Sequence, residues 1–400
     1  MIQTVKNVLK KNQCLYNLNA YLKCREVKKE YERISTYYEG KPSPLPLEEM
    51  LKRHGFTPEW ADSLREKKLN VYYIGASEAQ DKTGFLQALK KFADVTWFVK
   101  YDGSYGQYEN KHYDGTLGEV LNTRKVIEDV ERLIDNGQKP DLIFMQAWGH
   151  SFDLDPLIAF KRLHGLKFLN IGLDERLNYR VKTPVERKYN LGISGLIPLV
   201  DLMLVANPET AQWYLKENAP AIWFPMASSL DFYHPDPSVE KKYDVGFIGH
   251  KYGYREELVT GLIKSGIRVE ARGSGWEHGM IPFEENNRFF NQCKIVLGIG
   301  TVGHCKDFYT QKLRDFDAPL SGSAYVTHNN PDLLELYDDD EIVLCDTIDD
   351  FVVHIRELLN NDAKRVALAQ KGFVKARERH TYEQRFAELF SFLGMPHAGA

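Results

Sequence analysis

Cysteine is scarce in this 400-residue chain, and the five present (Cys14, Cys24, Cys293, Cys305 and Cys345) are scattered, with no C-x-x-C pair. Bridging them would leave one over, so they read as reduced thiols of a cytosolic protein. No uninterrupted apolar stretch approaches the ~20 residues that span a bilayer, and residues 1–11 carry no apolar block of the signal-peptide kind. Charge of one sign is missing as well: the net charge is -4 and the pI near 6.3. Such a chain has no global field to draw in nucleic acid, so any phosphate site must be local. His150, His250, His304 and His380 show no zinc spacing, and no G-x-S-x-G elbow occurs. The sequence therefore offers nothing for a bound metal or a serine hydrolase, and neither metal nor cofactor is expected.

What is present is a soluble-protein composition, 43% hydrophobic and 27% charged, in a length that suits two α/β domains of roughly 150 to 180 residues. Residues 1–68 have helical spacing and form a helical preface. Within it Lys6, Lys10, Lys11 and Lys23, interleaved with Val5, Val8, Leu9, Leu15 and Leu22, make a basic amphipathic surface. Its plain reading is a solvated helix packed on the body; its other reading is peripheral attachment at the inner face of a membrane. Apolar strand-like runs then alternate with helix-length segments: 70–75 (NVYYIG), 94–99, 141–145, 167–172 and 201–206. Alternation of this kind predicts a parallel sheet covered by helices. The proline-rich stretch 224–238 marks a boundary, after which runs at 243–249, 267–271, 294–298, 324–327 and 341–344 predict a second doubly wound sheet. Thr381 and Gln384 have capping-box spacing and open a last amphipathic helix. The expected organisation is a helical extension (1–68), a first Rossmann-like domain (69–230), a second (231–380) and a C-terminal helix (381–400).

Ligands of open parallel sheets bind beyond the carboxyl ends of the strands, where helix N-termini attract phosphate. The loop 246–255 (GFIGHKYGYR) follows a strand, contains Gly249 and Gly253, and carries His250, Lys251 and Arg255 into a helix start. Glycine lets backbone approach an anion and basic side chains offset its charge, so this loop is a candidate diphosphate site. Taken alone it reads equally well as a glycine turn with solvated basic residues. A literal G-x-G-x-x-G stands at 298–303, but it follows a late strand and opens no clear helix, which weakens a nicotinamide reading. The acidic run 338–341 has D-x-D spacing, yet it lies before a strand rather than after one and reads as a solvated turn.

In order along the second half, the chain carries 244–249 (DVGFIG), 273–276 (GSGW), 294–297 (KIVL), 313–322 (LRDFDAPLSG), 341–344 (EIVL) and 380–385 (HTYEQR). These motifs resemble the glycosyl-transferase domain of spore-maturation (CgeB-like) proteins, relatives of the large retaining family that includes glycogen and sucrose synthases. The first half, with 224–231 (FPMASSLD), resembles the matching acceptor domain more loosely. The resemblance implies a GT-B fold, two facing Rossmann-like α/β domains, and metal-free transfer of a sugar from a nucleotide-sugar donor to a hydroxyl of a glycan, lipid-linked or protein acceptor. Position by position it implies that His250 and Arg255 meet the donor diphosphate and that Asp317 holds the ribose. It implies too that Gly273 to Trp276 and Ile281 to Phe283 enclose the base, with Gly249 in the phosphate loop and Lys312 and Arg314 flanking the donor. One position departs: the acid that relatives place eight residues before the ribose-binding carboxylate is Tyr309 here.

On the acceptor side, strand-end loops offer Asp81 within 75–84, His150 and Asp174. Asp174 or His150 would serve as general base in an inverting reaction and would orient substrate in a retaining one; Asp174 reads equally as a helix cap. A nucleotide-sugar epimerase or a non-catalytic sugar- or nucleotide-binding protein would share much of this pattern.

Overall fold

A computed structural model describes residues 13–42, 44–65 and 67–395. They fall into two compact units: one joins the helix Gln13–Glu39, as far as Tyr37, to Leu230–His380, and the other joins Tyr38–Ser229 to the C-terminal segment from Thr381. The helical preface is thus divided between the units. Lys6, Lys10, Lys11 and the apolar residues beside them up to Leu9 lie outside the described residues.

Tyr38–Ser229 supplies β1 (Leu69–Ile74), β2 (Ala93–Trp97), the short pair β3 (His112–Tyr113) and β4 (Thr116–Leu117), β5 (Leu142–Met145), β6 (Phe168–Gly172), β7 (Leu202–Val205) and β8 (Ala221–Trp223). Six of these form a parallel sheet in the order β2-β1-β5-β6-β7-β8. The central strands are buried on both faces and apolar but for Asn70 in β1 and Asn170 in β6, as helices on both sides of a parallel sheet require. The helix Tyr382–Phe392 returns to this unit. Thr381 and Gln384 form the capping box that their spacing predicts, and Phe386 and Phe390 pack on Phe144 and Phe92.

The other unit holds β9 (Tyr243–Ile248), β10 (Val269–Arg272), β11 (Cys293–Leu297), β12 (Ala324–His328) and β13 (Val343–Cys345), parallel in the order β10-β9-β11-β12-β13. Its core gathers Val245, Phe247, Leu258, Ile295, Leu297, Val326, Phe351 and Ile355. In both sheets the strand order reverses beside the first strand, between β1 and β5 and between β9 and β11. Such a switch sends neighbouring loops in opposite directions and opens a crevice at the carboxyl ends of the strands.

Two features differ from the expectations and one agrees with them. The three-residue β8 and the helices Ile348–Asn360 and Asp362–Arg379 are present but were not read from the sequence. As its sequence setting suggests, the G-x-G-x-x-G run opens no helix; it leads into a tight return, in which Val302 and Thr310 amides donate to the Phe308 and Gly300 carbonyls. Finally, Cys24 and Cys305 are joined as a disulfide, while Cys293 and Cys345 are buried free thiols and the Cys14 side chain is outside the described ones. The expectation of five reduced thiols is therefore wrong for Cys24 and Cys305. Their separation of 281 residues hides the pairing from any local reading.

Candidate functional site

The crevice between β9 and β11 is where a ligand of this sheet belongs, and its walls are held by backbone. The Gly249 amide donates to the Arg272 carbonyl (2.8 Å), the Lys251 amide to that of Ser274 (2.9 Å), and the Trp276 indole N–H to that of Gly249 (2.7 Å). The loops after β9 and β10 are thereby zipped together. Gly273 has φ +129°, and a Cβ there would lie inside the van der Waals shell of the Gly249 carbonyl, so only glycine closes this seam. Trp276 stands edge-on to Phe247 (6.1 Å), and the Lys251 ammonium lies 5.3 Å from its ring centroid while pairing with Glu256 at 3.1 Å.

Two guanidinium groups converge on this seam. From the point where a Cβ of Gly249 would stand, the nearest nitrogens are Arg314 Nη1 at 3.2 Å and Arg255 Nη1 at 3.3 Å. Arg255 is 94% buried, donates to the His250 carbonyl at 3.3 Å and lies 4.5 Å from the Tyr252 ring centroid. Arg314 donates to the Ile299 carbonyl at 3.2 Å and lies over Phe247 at 4.8 Å. Each keeps a buried Nε without a hydrogen-bond partner, and among the described residues neither guanidinium forms a salt bridge. Burial, and then the like charge of Arg314, push the Arg255 pKa down to about 10. Two cations drawn out of water around one point, with no carboxylate between them, make a site for an anion.

The remaining predicted donor residues are less closely joined. Exposed His250 contributes its carbonyl to Arg255. Lys312 uses its backbone amide to bond Asp315 (2.7 Å), which also accepts from the Tyr325 hydroxyl (2.5 Å). Asp317 is buried within the short helix Arg314–Leu320, on the same helix as Arg314. The acidic run 338–341 is engaged by the helix Asp362–Arg379, with Lys375 on Asp338 (3.1 Å) and Lys371 on Asp340. Tyr309 stands beside His328, ring to ring at 5.5 Å. His328, which the sequence reading missed, ends β12 boxed by Tyr254, Tyr309 and Phe351, with both ring nitrogens buried and unpartnered. Desolvation lowers its pKa to about 4, so the ring is neutral.

In the β1–β8 unit, the crevice between β1 and β5 is occupied by Asp81. This carboxylate is wholly buried and accepts from Tyr73 (2.7 Å), Tyr105 (2.9 Å), the Ser77 amide (3.2 Å) and Gln146. A carboxylate so enclosed organises its loop and has no face left for substrate. His150 differs. Its Nδ1 is 2.9 Å from the Leu191 carbonyl, which only accepts, so Nδ1 carries a proton and the tautomer this selects has its lone pair on Nε2. Half-buried Asp174 precedes the short helix Glu175–Asn178 and forms no side-chain cap. Its neighbour Glu175 was not singled out by the sequence reading: the side chain turns inward, both oxygens are buried without partners, and burial raises its pKa to about 8.

Comparison with solved structures places this architecture. Anabaena Alr3699/HepE, crystallised with UDP-glucose, superposes with a TM-score of 0.55 at 12% identity, over 81% of this chain and 100% of that one. The sucrose-phosphate synthase of Thermosynechococcus elongatus gives 0.53 at 12% identity, over 81% and 99%. The fold is GT-B. A glycosyl transferase-like family model matches residues 255–391, opening at Arg255 and containing Arg314 and Asp317. No curated protein matches the sequence. Within the GT-B fold, the paired arginines lie inside the matched region, whereas His150 and Asp174 lie outside it.

Proposed function

We propose that the chain is a glycosyltransferase that moves a sugar from a nucleotide-sugar donor to a hydroxyl of a glycan, lipid-linked or protein acceptor. One observation carries the reading: buried Arg255 and half-buried Arg314 converge, without a carboxylate partner among the described residues, at the glycine seam beside a glycosyl transferase-like match. In the transfer, the bond from the anomeric carbon to the diphosphate breaks and the bond to the acceptor oxygen forms, while the acceptor proton passes to a base or to the departing phosphate. Charge grows on the diphosphate as its bond breaks, which is when two fixed guanidiniums act most strongly. Asp317 is assigned to the ribose, because a carboxylate accepts from both vicinal hydroxyls. Trp276 and Gly273 are assigned to the base side, and His150 Nε2 or Asp174 to the acceptor proton.

Among glycosyltransferases we place the chain with the CgeB-like proteins, on the motifs from 244 to 385. The HepE complex makes a UDP-sugar the first donor to try. No metal enters this scheme, since the arginines meet the charge, and chelator should leave turnover unchanged. The test is a thermal-shift panel of UDP-, GDP-, TDP- and CMP-linked sugars, followed by calorimetry of the best nucleotide on Asp317→Asn and Asp338→Asn. One donor class should stabilise the protein, and only Asp317→Asn should weaken it, by about 1.5 to 3 kcal/mol. Loss of activity in Asp338→Asn with rescue by manganese would overturn the metal-free scheme.

A further inference from the structure

Between β2 and the helix Gly118–Asp135 the chain makes an excursion that the donor chemistry does not use. Residues 100–116 contain four tyrosines and no aliphatic side chain, and the rest is Gly, Ser, Thr, Asn, Gln, His and charged residues. The excursion is fastened across the strand ends of the β1/β5 switch point. Gln107 Nε2 donates to the Gln146 carbonyl (2.7 Å) and the Gly75 carbonyl (3.2 Å), and the Tyr105 hydroxyl donates to Asp81. Asn122 clasps the Tyr108 backbone, accepting from its amide at 2.8 Å and donating to its carbonyl at 3.0 Å. The end of the excursion is the β3–β4 hairpin, whose two-residue turn puts Asp114 and Gly115 at positive φ (48° and 81°). Both central residues at positive φ suit the right-handed twist of a tight hairpin.

Three of the tyrosines form a contiguous aromatic surface. Tyr108 packs edge-on to Tyr113 (5.0 Å) and tilted against Tyr101 (6.4 Å), which is 50% exposed. Their polar ends are tied down: the Tyr101 hydroxyl donates to Glu128 at 2.8 Å, and the Tyr108 hydroxyl accepts from the Tyr101 amide at 3.0 Å. Rings held this way lose little side-chain freedom when something lies on them. An aliphatic ligand would select leucine or isoleucine, and a polyanion would select net positive charge. This segment has no aliphatic side chain, and its two lysines are outnumbered by three acids. The Lys100, Lys111 and Lys125 ammoniums lie 5.2 to 5.7 Å from the Tyr108, Tyr113 and Tyr101 ring centroids, on long side chains that can swing aside. What suits rigid tyrosines rimmed with amides, carboxylates, hydroxyls and these ammoniums is a ligand with apolar C–H faces and a belt of hydroxyls.

We propose that Tyr101, Tyr108 and Tyr113 form a subsite for an uncharged glycan, on which pyranose rings of the acceptor stack. The subsite rests on the glycosyltransferase reading and narrows its acceptor to a neutral oligosaccharide longer than one ring. The test uses the full chain: screening on an array of neutral and acidic oligosaccharides, then calorimetry with the best neutral pentasaccharide, alongside titration of the nucleotide chosen by the panel above. Tyr101→Ala and Tyr113→Ala should each weaken the oligosaccharide about tenfold, Tyr101→Phe and Tyr113→Phe should retain most of the affinity, and the nucleotide isotherm should not move. Unchanged glycan affinity in both alanine variants, preference for acidic glycans, or no neutral glycan bound by a protein that binds nucleotide would each overturn the subsite. A protein that binds neutral glycan through these rings but no nucleotide would instead overturn the glycosyltransferase reading and leave the subsite standing.

Discussion

Arg255 and Glu175 are both buried without the partner their chemistry asks for, and they meet this differently. The guanidinium stays charged, because even a pKa lowered to about 10 lies far above neutrality; the carboxyl gives its charge up. For Glu175 this has a consequence for stability. Its carboxyl ordinarily titrates near 4.5 and in the folded chain near 8. Between these values the unfolded chain releases a proton that the folded chain keeps, so folding stability falls as pH rises through that window. Glu175→Gln cannot titrate and should flatten the melting temperature between about pH 5 and pH 8 relative to wild type. Thermal melts across that range check it, and parallel profiles would mean that Glu175 finds a partner. Arg255 could be picked out from the sequence because it follows a glycine loop at a helix start. Its convergence with Arg314 could not, since 59 positions separate them and only the β9–β11 adjacency brings them together. The inward turn of Glu175 beside half-buried Asp174 was equally hidden, because two adjacent acids look alike until the backbone is known.

Elements were legible where burial on both faces writes a continuous apolar run, as in β5 and β7, or one broken by a single polar residue, as in β1, β6 and β11. They were illegible where the pattern is short or mixed. β8 has only three residues, and the helix Asp362–Arg379 buries little more than Leu368, Gly372 and Ala376, so its sequence looks like a polar surface. The C-terminal helix is the converse case, since its capping box is a local device with a local signature. Thr381 accepts from the Gln384 amide while Gln384 reaches back to the Thr381 amide, satisfying donors that the first helical turn leaves open. Thr381→Ala should cost about 1 kcal/mol of unfolding free energy by denaturant titration. A loss indistinguishable from zero would mean that Phe386 and Phe390 hold the helix without its cap.

At the scale of the molecule, two parallel sheets with the same switch of strand order present two sets of loops. One set holds basic residues around a glycine seam; the other holds a buried carboxylate, a histidine with a fixed tautomer and a tyrosine surface. The fold follows from alternation that the sequence displays, and the division of labour follows from which side chains stand at the strand ends. The disulfide adds a link that alternation does not foretell, since it fastens the helix Gln13–Glu39 to the loop that leaves β11. The central claim is that Arg255 and Arg314 together hold a nucleoside diphosphate. Its most direct test is calorimetric titration of the nucleoside diphosphate chosen by the thermal-shift panel into wild type, Arg255→Ala and Arg314→Ala. The account predicts binding by wild type and a loss of tenfold or more in each variant, about 1.4 kcal/mol or greater. Equal affinity across the three proteins, or no nucleoside diphosphate bound by wild type, would contradict it.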